Sequence, residues 1–210
     1  KRSLDVMLDV VKRYDVDGIH IDDYFYPYPV RDAQNQPVEF PDQANYDKYL
    51  ASGGKLSRGD WRRKQVDDFV ERVYKGTKQI KKHVKFGISP FGIYRPGMPE
   101  GIRAGIDQYD QLYADCLKWF QKGWCDYLTP QLYWPIKQEA QSYPKLLDWW
   151  VSQNSAKRHL WVGNFTSQVG SSNANWSVSE IVDQISETRK RSAGGNIHLS
   201  MKAFSQNFKG

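Results

Sequence analysis

Asp15-Val16-Asp17-Gly18-Ile19-His20-Ile21-Asp22-Asp23-Tyr24-Phe25-Tyr26-Pro27-Tyr28-Pro29 is the stretch that decides the fold. A short run, Ile19–Tyr24, alternates apolar and polar residues at its start, as a half-buried strand does. It closes on two acids and then meets prolines, which cannot donate to a sheet ladder. Upstream, residues 4–14 carry Leu4, Met7, Leu8, Val11 and Tyr14 at helical spacing. Downstream, residues 27–57 hold four of the ten prolines plus Gly53-Gly54 and read as a long loop with room for one short helix. Loops of that length in compact domains are usually functional.

The same alternation then recurs. A helix is expected over 58–81, with Val66, Phe69, Val70, Val73 and Ile80 on one face. Lys85–Ser89 reads as a strand ending at Pro90. Tyr109, Leu112, Tyr113, Cys116 and Phe120 mark a helix, Asp126–Tyr133 a strand, and 139–152 a helix. Leu160–Asn164 is a strand, Val178, Ile181, Val182 and Ile185 mark a helix, and Asn196–Met201 is the last strand. Five strands alternating with helices imply a parallel sheet with crossovers of one hand. Polar and aromatic residues gather at the strand ends, as on the active face of a (β/α)8 TIM barrel. A doubly wound sheet would carry a glycine-rich phosphate loop after its first strand, and this sequence has none. The expectation is α/β: the C-terminal five β/α units of a barrel, in a single domain over 1–210.

Composition narrows the function classes. Hydrophobic residues are 40% and charged residues 26% of 210, which is globular and not disordered. No stretch approaches the roughly 20 apolar residues of a membrane span. The net charge of +6 favours anionic partners. Lysine and arginine form no compact run, so nucleic acid is disfavoured and an acidic glycan fits as well. The 8 tryptophans and 13 tyrosines suit a cleft in which sugar faces pack on aromatic rings, or an aromatic core. His20, His83, His159 and His198 lack ligand spacing on any one element, so no metal is expected. No cofactor motif occurs. Cys116 and Cys125 are expected to be buried free thiols.

Three segments carry a family likeness. Residues 15–29, Phe86–Gly97 (F-G-I-S-P-F-G-I-Y-R-P-G) and Asp126–Trp134 (D-Y-L-T-P-Q-L-Y-W) resemble the bacterial glycosyl-hydrolase-like-10 family, in the right order and over nearly the whole chain. The resemblance implies a TIM-barrel glycosidase relative, secreted or lipid-anchored in the cell envelope as a lipoprotein, and associated with peptidoglycan-type glycan strands. It also implies that the H-I-D-D strand is the fourth of eight. The first three strands would then precede Lys1, and the chain is expected to be part of a longer protein.

Glycoside hydrolysis generally needs two carboxyl groups at the scissile bond. Asp22 and Asp23 are the candidates. Along a regular strand Gly18, His20 and Asp22 share the interior, while Asp23 turns outward or swings over the rim where the strand ends. No glutamate closes Lys85–Ser89, and the nearest is Glu100. Two routes stay open. The acid lies on a loop or a preceding strand, or Asp22 and Asp23 act together on a substrate whose 2-acetamido oxygen is the nucleophile. Candidate substrate-binding residues are His20, Tyr24, Tyr26, Arg95, Gln131, Tyr133, Trp134 and Asn164. The rival reading is a glycan-binding barrel with no working acid. The exposed edge of the Asp22 strand invites self-association.

Overall fold

The computed structural model of the chain describes residues 2–171, 173 and 176–206. Five strands form one sheet in the order β1 (Gly18–Ile21), β2 (Lys85–Ile88), β3 (Tyr127–Leu128), β4 (His159–Asn164) and β5 (Gly195–His198). Every neighbouring pair is parallel. Parallel strands that follow chain order put every crossover on the same face. A doubly wound sheet would need the order to reverse. The result is a half-barrel arc with helices on its outer side.

The outer layer runs from α1 (Arg2–Arg13) through α3 (Arg58–Ile80), α5 (Cys116–Lys122) and α6 (Tyr143–Ser152) to α7 (Val178–Lys190). Neighbours pack together: α1 on α3, α3 on α5, and α6 on α7. Between α5 and α6, Phe120 meets Trp150 edge-on at 6.3 Å. Helix α3 starts at Ser57, whose side chain accepts from the Asp60 amide, and buries Val66, Val70 and Val73. Strand residues that point the same way, Phe86, Ile88, Leu128, Leu160 and Val162, complete the core with Trp119, Phe120, Leu146, Leu147 and Trp150. Cys116 and Cys125 are free and buried there. Burial pushes both thiols up, Cys125 to about 12.

The alternate strand positions form the inner wall. Tyr127 lies over Gly87, where an added Cβ would sit 1.9 Å from Cζ of the ring. Its hydroxyl meets Nδ1 of His20 at 3.0 Å. On the other side its ring packs on Trp161 at 4.4 Å. An aromatic row thus crosses the arc. Among the described residues β1 pairs only with β2 and β5 only with β4, so the arc is open at both ends.

The expected elements are present with shifted bounds. The 27–57 loop holds α2 (Gln43–Ala51). The helix marked by Tyr109–Phe120 splits into α4 (Gln108–Gln111) and α5. Tyr113 between them is left-handed at φ 53°, and the Asp115 side chain restarts the helix by accepting from the Lys118 amide. The strand expected over 126–133 is regular only at Tyr127–Leu128, because Pro130 has no donor. Pairing resumes at Gln131, which bridges Phe91 and Gly163. The helix expected from 139 begins as a single 3-10 turn, and α6 proper starts at Tyr143 with Pro144 in its first turn. The last strand ends at His198, and Lys202 opens the short α8 (Lys202–Ser205).

Candidate active site

The site forms where the strands end. The Ser89 amide still donates to Ile21 O at 2.9 Å, and beyond that contact the chain leaves β1. Asp22 Oδ1 accepts from the Asp23 amide at 3.0 Å and from Gln131 Nε2 at 2.7 Å. The same Gln131 nitrogen reaches Ser89 O at 3.0 Å. Gln131 can sit there because its flanks are glycine. A Cβ at Gly92 would lie 2.1 Å from Gln131 O, and one at Gly163 would lie 3.2 Å from its Cα. Two missing side chains therefore let three strand ends close around one amide that holds Asp22.

Asp23 is 6% exposed, and its Oδ2 accepts from the Tyr28 hydroxyl. Burial raises its pKa above the ordinary carboxylate range and the charge of Asp22 adds to this, while the Tyr28 bond and its own amide work against it. The Tyr28 hydroxyl is itself pushed up, by burial and then by Asp23. Tyr133 is also pushed up, by burial and then by the charges of Asp22 and Asp23, which places its hydroxyl in their field. Its ring packs on Phe165 at 4.9 Å. Adjacent residues thus occupy opposite environments, Asp22 exposed and held by two N–H groups, Asp23 largely buried with its pKa raised.

The other candidates divide. His20 stands two residues below Asp22 against Tyr127. Desolvation lowers its pKa and the Asp22 charge opposes that. Tyr24 is 73% exposed and meets Tyr28 edge-on at 5.6 Å. Trp134 is half-buried, edge-on to Phe91 at 5.7 Å. Three residues have their polar groups engaged elsewhere. Tyr26 donates to Asp42 at 3.3 Å, and burial with the Asp42 charge pushes its hydroxyl to about 12. Arg95 is paired with Asp107 at 2.9 Å and Asp110 at 2.5 Å, above the Tyr109 ring. Asn164 is fully buried. It donates to Tyr143 Oη and Gln184 Oε1 and accepts from Asn196, so it ties α6, α7 and β5 together beneath the rim.

Sequence reasoning put Tyr28 with Tyr24 and Tyr26 on the rim of the loop but did not pair it with Asp23. The signal available was a tyrosine between two prolines, five residues past an acid. It also missed Asp42, which anchors the 27–57 loop. Asp42 is clamped by Arg58 at 2.6 Å and Arg62 at 2.8 Å, whose i, i+4 spacing on α3 points both at one carboxylate. A groove of about 460 Å³ opens beside Asp22, lined by Tyr24 and Phe25 with Met7 of α1 and Phe69 of α3. No group of three or more His, Cys, Asp or Glu among the described residues is arranged to hold a metal ion. No helix among them is long and apolar enough to cross a membrane.

A parallel β/α arc with an acidic pair at its C-terminal strand ends, ringed by tyrosines, defines the class: a glycosidase-like barrel protein. Residues 4–179 match glycosyl hydrolase-like 10, and the chain belongs to that family. It is 39% identical over 207 residues to glycosyl hydrolase YngK of Bacillus subtilis strain 168, covering 95% of this chain and 39% of the relative. It is 34% identical over 169 residues to glycosyl hydrolase DigH of Escherichia coli K12, covering 79% and 37% respectively. The chain thus spans 39% or less of the length of these relatives. Among solved structures, bee venom hyaluronidase in complex with a hyaluronic acid tetramer is similar at a TM-score of 0.48 and 12% identity, over 94% of this chain and 84% of that chain.

Proposed function

We propose that the chain is one domain, the C-terminal part of a glycoside hydrolase barrel, with Asp22 and Asp23 as its catalytic carboxyl groups. The observation that supports this is the opposed environments of two neighbouring acids, the pattern by which enzymes separate acid and base roles. Asp23, whose pKa is raised by burial, is the proton donor to the leaving oxygen. Asp22, fixed by Gln131, is the group that meets the positive charge developing at the anomeric carbon or steers a 2-acetamido oxygen toward it. The substrate is an N-acetylated envelope glycan of the peptidoglycan type, with the net charge of +6 favouring acidic strands. The family and relatives named glycosyl hydrolase support a glycoside substrate; the envelope glycan is the finer proposal. The proposed location is the cell envelope or outside the cell. Tyr24, Tyr133 and Trp134 are the sugar-contacting rings, with His20 below them. The open edge of β1 gives the isolated arc a route to self-association, read by sedimentation velocity.

The test is turnover by the whole protein on N-acetylated and de-N-acetylated strands, with binding measured alongside. Asp22→Asn should lower turnover about 100-fold or more while affinity stays within a few-fold, because it removes a contact that matters in the transition state. Asp23→Asn should be comparably damaging, and in the acetamido route only N-acetylated strands are cut. Wild-type turnover by Asp22→Asn refutes the assignment. A wild-type protein that binds strands and never cuts them favours a glycan-binding barrel.

A further inference from the structure

We propose that the end of the arc opposite the acidic pair is a docking surface for an anionic phospholipid bilayer. In a sheet whose strands all run one way, every helix-to-strand turn lies at the same end. Here those turns are residues 14–17, 81–84, 123–126, 153–158 and 191–194. Each carries or lies next to an exposed base that has no ion pair among the described residues: Lys12, Lys82, Lys122, Lys157 and Arg189, with Lys85 a second at the 81–84 turn. The turns are contiguous. Lys81 Nζ donates to Tyr14 O at 2.7 Å and Arg158 Nη2 to Gly123 O at 2.9 Å, while Lys78 pairs with Asp126 at 2.6 Å.

Nearby acids do little to cancel these charges. Asp9, Glu71, Asp126, Asp148 and Glu187 are each paired with a base. Asp15 and Asp17 are the exposed acids within the turns. Bases near helix C-termini also complement the helix dipole, which accounts for Lys12, Lys122 and Arg189. Lys82 and Lys157 lie beyond the helices, so the dipole does not explain them.

The occupant follows from the type and spacing of the charges. Five of the six are lysines, point charges without the fork that grips a single phosphate. They sit one or two per turn, with the turns at roughly the 8–10 Å spacing of packed helices, so that neighbours lie within about one Debye length. An arc of that breadth suits a plane of negative headgroups, which attracts basic residues by about 1 kcal/mol each, or roughly fivefold in partition. Docked this way, the acidic pair faces outward, away from the bilayer. The proposal does not depend on the chemistry of that pair.

The experiment is co-sedimentation of the chain with vesicles of phosphatidylcholine containing increasing phosphatidylglycerol, across a salt series, with inorganic polyphosphate as the soluble comparator. Two matched triple variants carry the same change in net charge. Lys82→Gln, Lys122→Gln and Lys157→Gln strip the turn end; Lys48→Gln, Lys55→Gln and Lys137→Gln strip the opposite end. Binding should rise steeply with phosphatidylglycerol and fall with salt. The first triple should lose roughly 100-fold in partition, and the second should change less than about threefold. If a triple fails to melt cooperatively, the wild-type lipid and salt series still decide. Equal binding to neutral vesicles, equal loss in both triples, or capture by polyphosphate without binding to phosphatidylglycerol vesicles overturns the proposal.

Discussion

Tyr28→Phe removes one oxygen and leaves the ring, so it isolates the hydroxyl that donates to Asp23. Asp23 is 6% exposed, and its carboxylate has little water to turn to once that donor is gone. A hydrogen bond to a charged group contributes about 1.5–3 kcal/mol, and the half-buried Tyr28 points to the lower end. At about 1.5 kcal/mol a chain of this size should melt about 3–6 °C lower at neutral pH. The loss should shrink in acid. The Tyr28 bond is one of the influences lowering the Asp23 pKa, so it stabilises the ionised form specifically. Net of burial, the folded-state pKa is still raised. Asp23 therefore binds its proton more tightly in the folded state, and its contribution to stability falls as pH rises from the unfolded through the folded pKa. Below both values the carboxyl is neutral and tolerates the loss of a donor. Thermal melts of wild type, Tyr28→Phe, Asp23→Asn and the double variant, at pH 4 and pH 7, give a coupling energy at each pH. A coupling near zero at pH 7, or one larger at pH 4, would refute the account of Asp23.

Three further outcomes follow from packing and charge. Burial works against the Asp42 carboxylate, but Arg62 and Arg58 override it and hold the group at about 2, so its contribution of about 2 kcal/mol should be present above pH 4 and vanish as pH falls toward 2; Arg62→Met should cost about 1.5–3 kcal/mol at neutral pH, read by urea melts, because it removes charge-assisted hydrogen bonds while Arg58 still holds that acid. Trp150→Ala should cost about 3–5 kcal/mol, since the indole is fully buried and its nitrogen donates to Gly92 O at 2.8 Å. Gly87→Ala should disrupt the His20–Tyr127 contact, because the new methyl would overlap the Tyr127 ring, and the side-chain NMR signals of both residues should shift; unchanged signals would contradict the inner-wall placement.

The arc was legible because its order is written in alternation. Ile19 and Ile21, Phe86 and Ile88, and Leu160 and Val162 each sit two apart, and the intervening stretches repeat at helical spacing. The sites of misreading were those where one residue overrides a pattern. Tyr113 adopts a left-handed turn in the middle of an apparently continuous apolar face, and Pro130 cuts a strand that its neighbours resume. Asp22 and Gln131 were both visible as polar strand ends, and the structure brings them into direct contact. Arg95 and Asn164 looked equally available, but partners remote in sequence engage them: Asp107 and Asp110 in one case, Gln184 and Asn196 in the other. The burial of Asp23 was illegible for the same reason, since it depends on how the Tyr-Pro-Tyr-Pro segment folds back.

The strand order also bears on how the arc assembles. Every strand of the arc pairs with the next one in the chain, so pairing within the arc proceeds between sequence neighbours. The spans to be closed are unequal. Ile19 to Phe86 is roughly twice Tyr127 to His159, which adds about 0.6 kcal/mol of loop entropy to pairing β1. Growth is therefore expected to start among β3, β4 and β5, whose spans are the shortest, with β2 next and β1 added last. Pulse-labelled hydrogen exchange should find the amides of Ile19 and Ile21 protected after those of Ile88 and Leu160. The strand that carries the acids would then be set against a wall already built, with Gln131 in place to receive it.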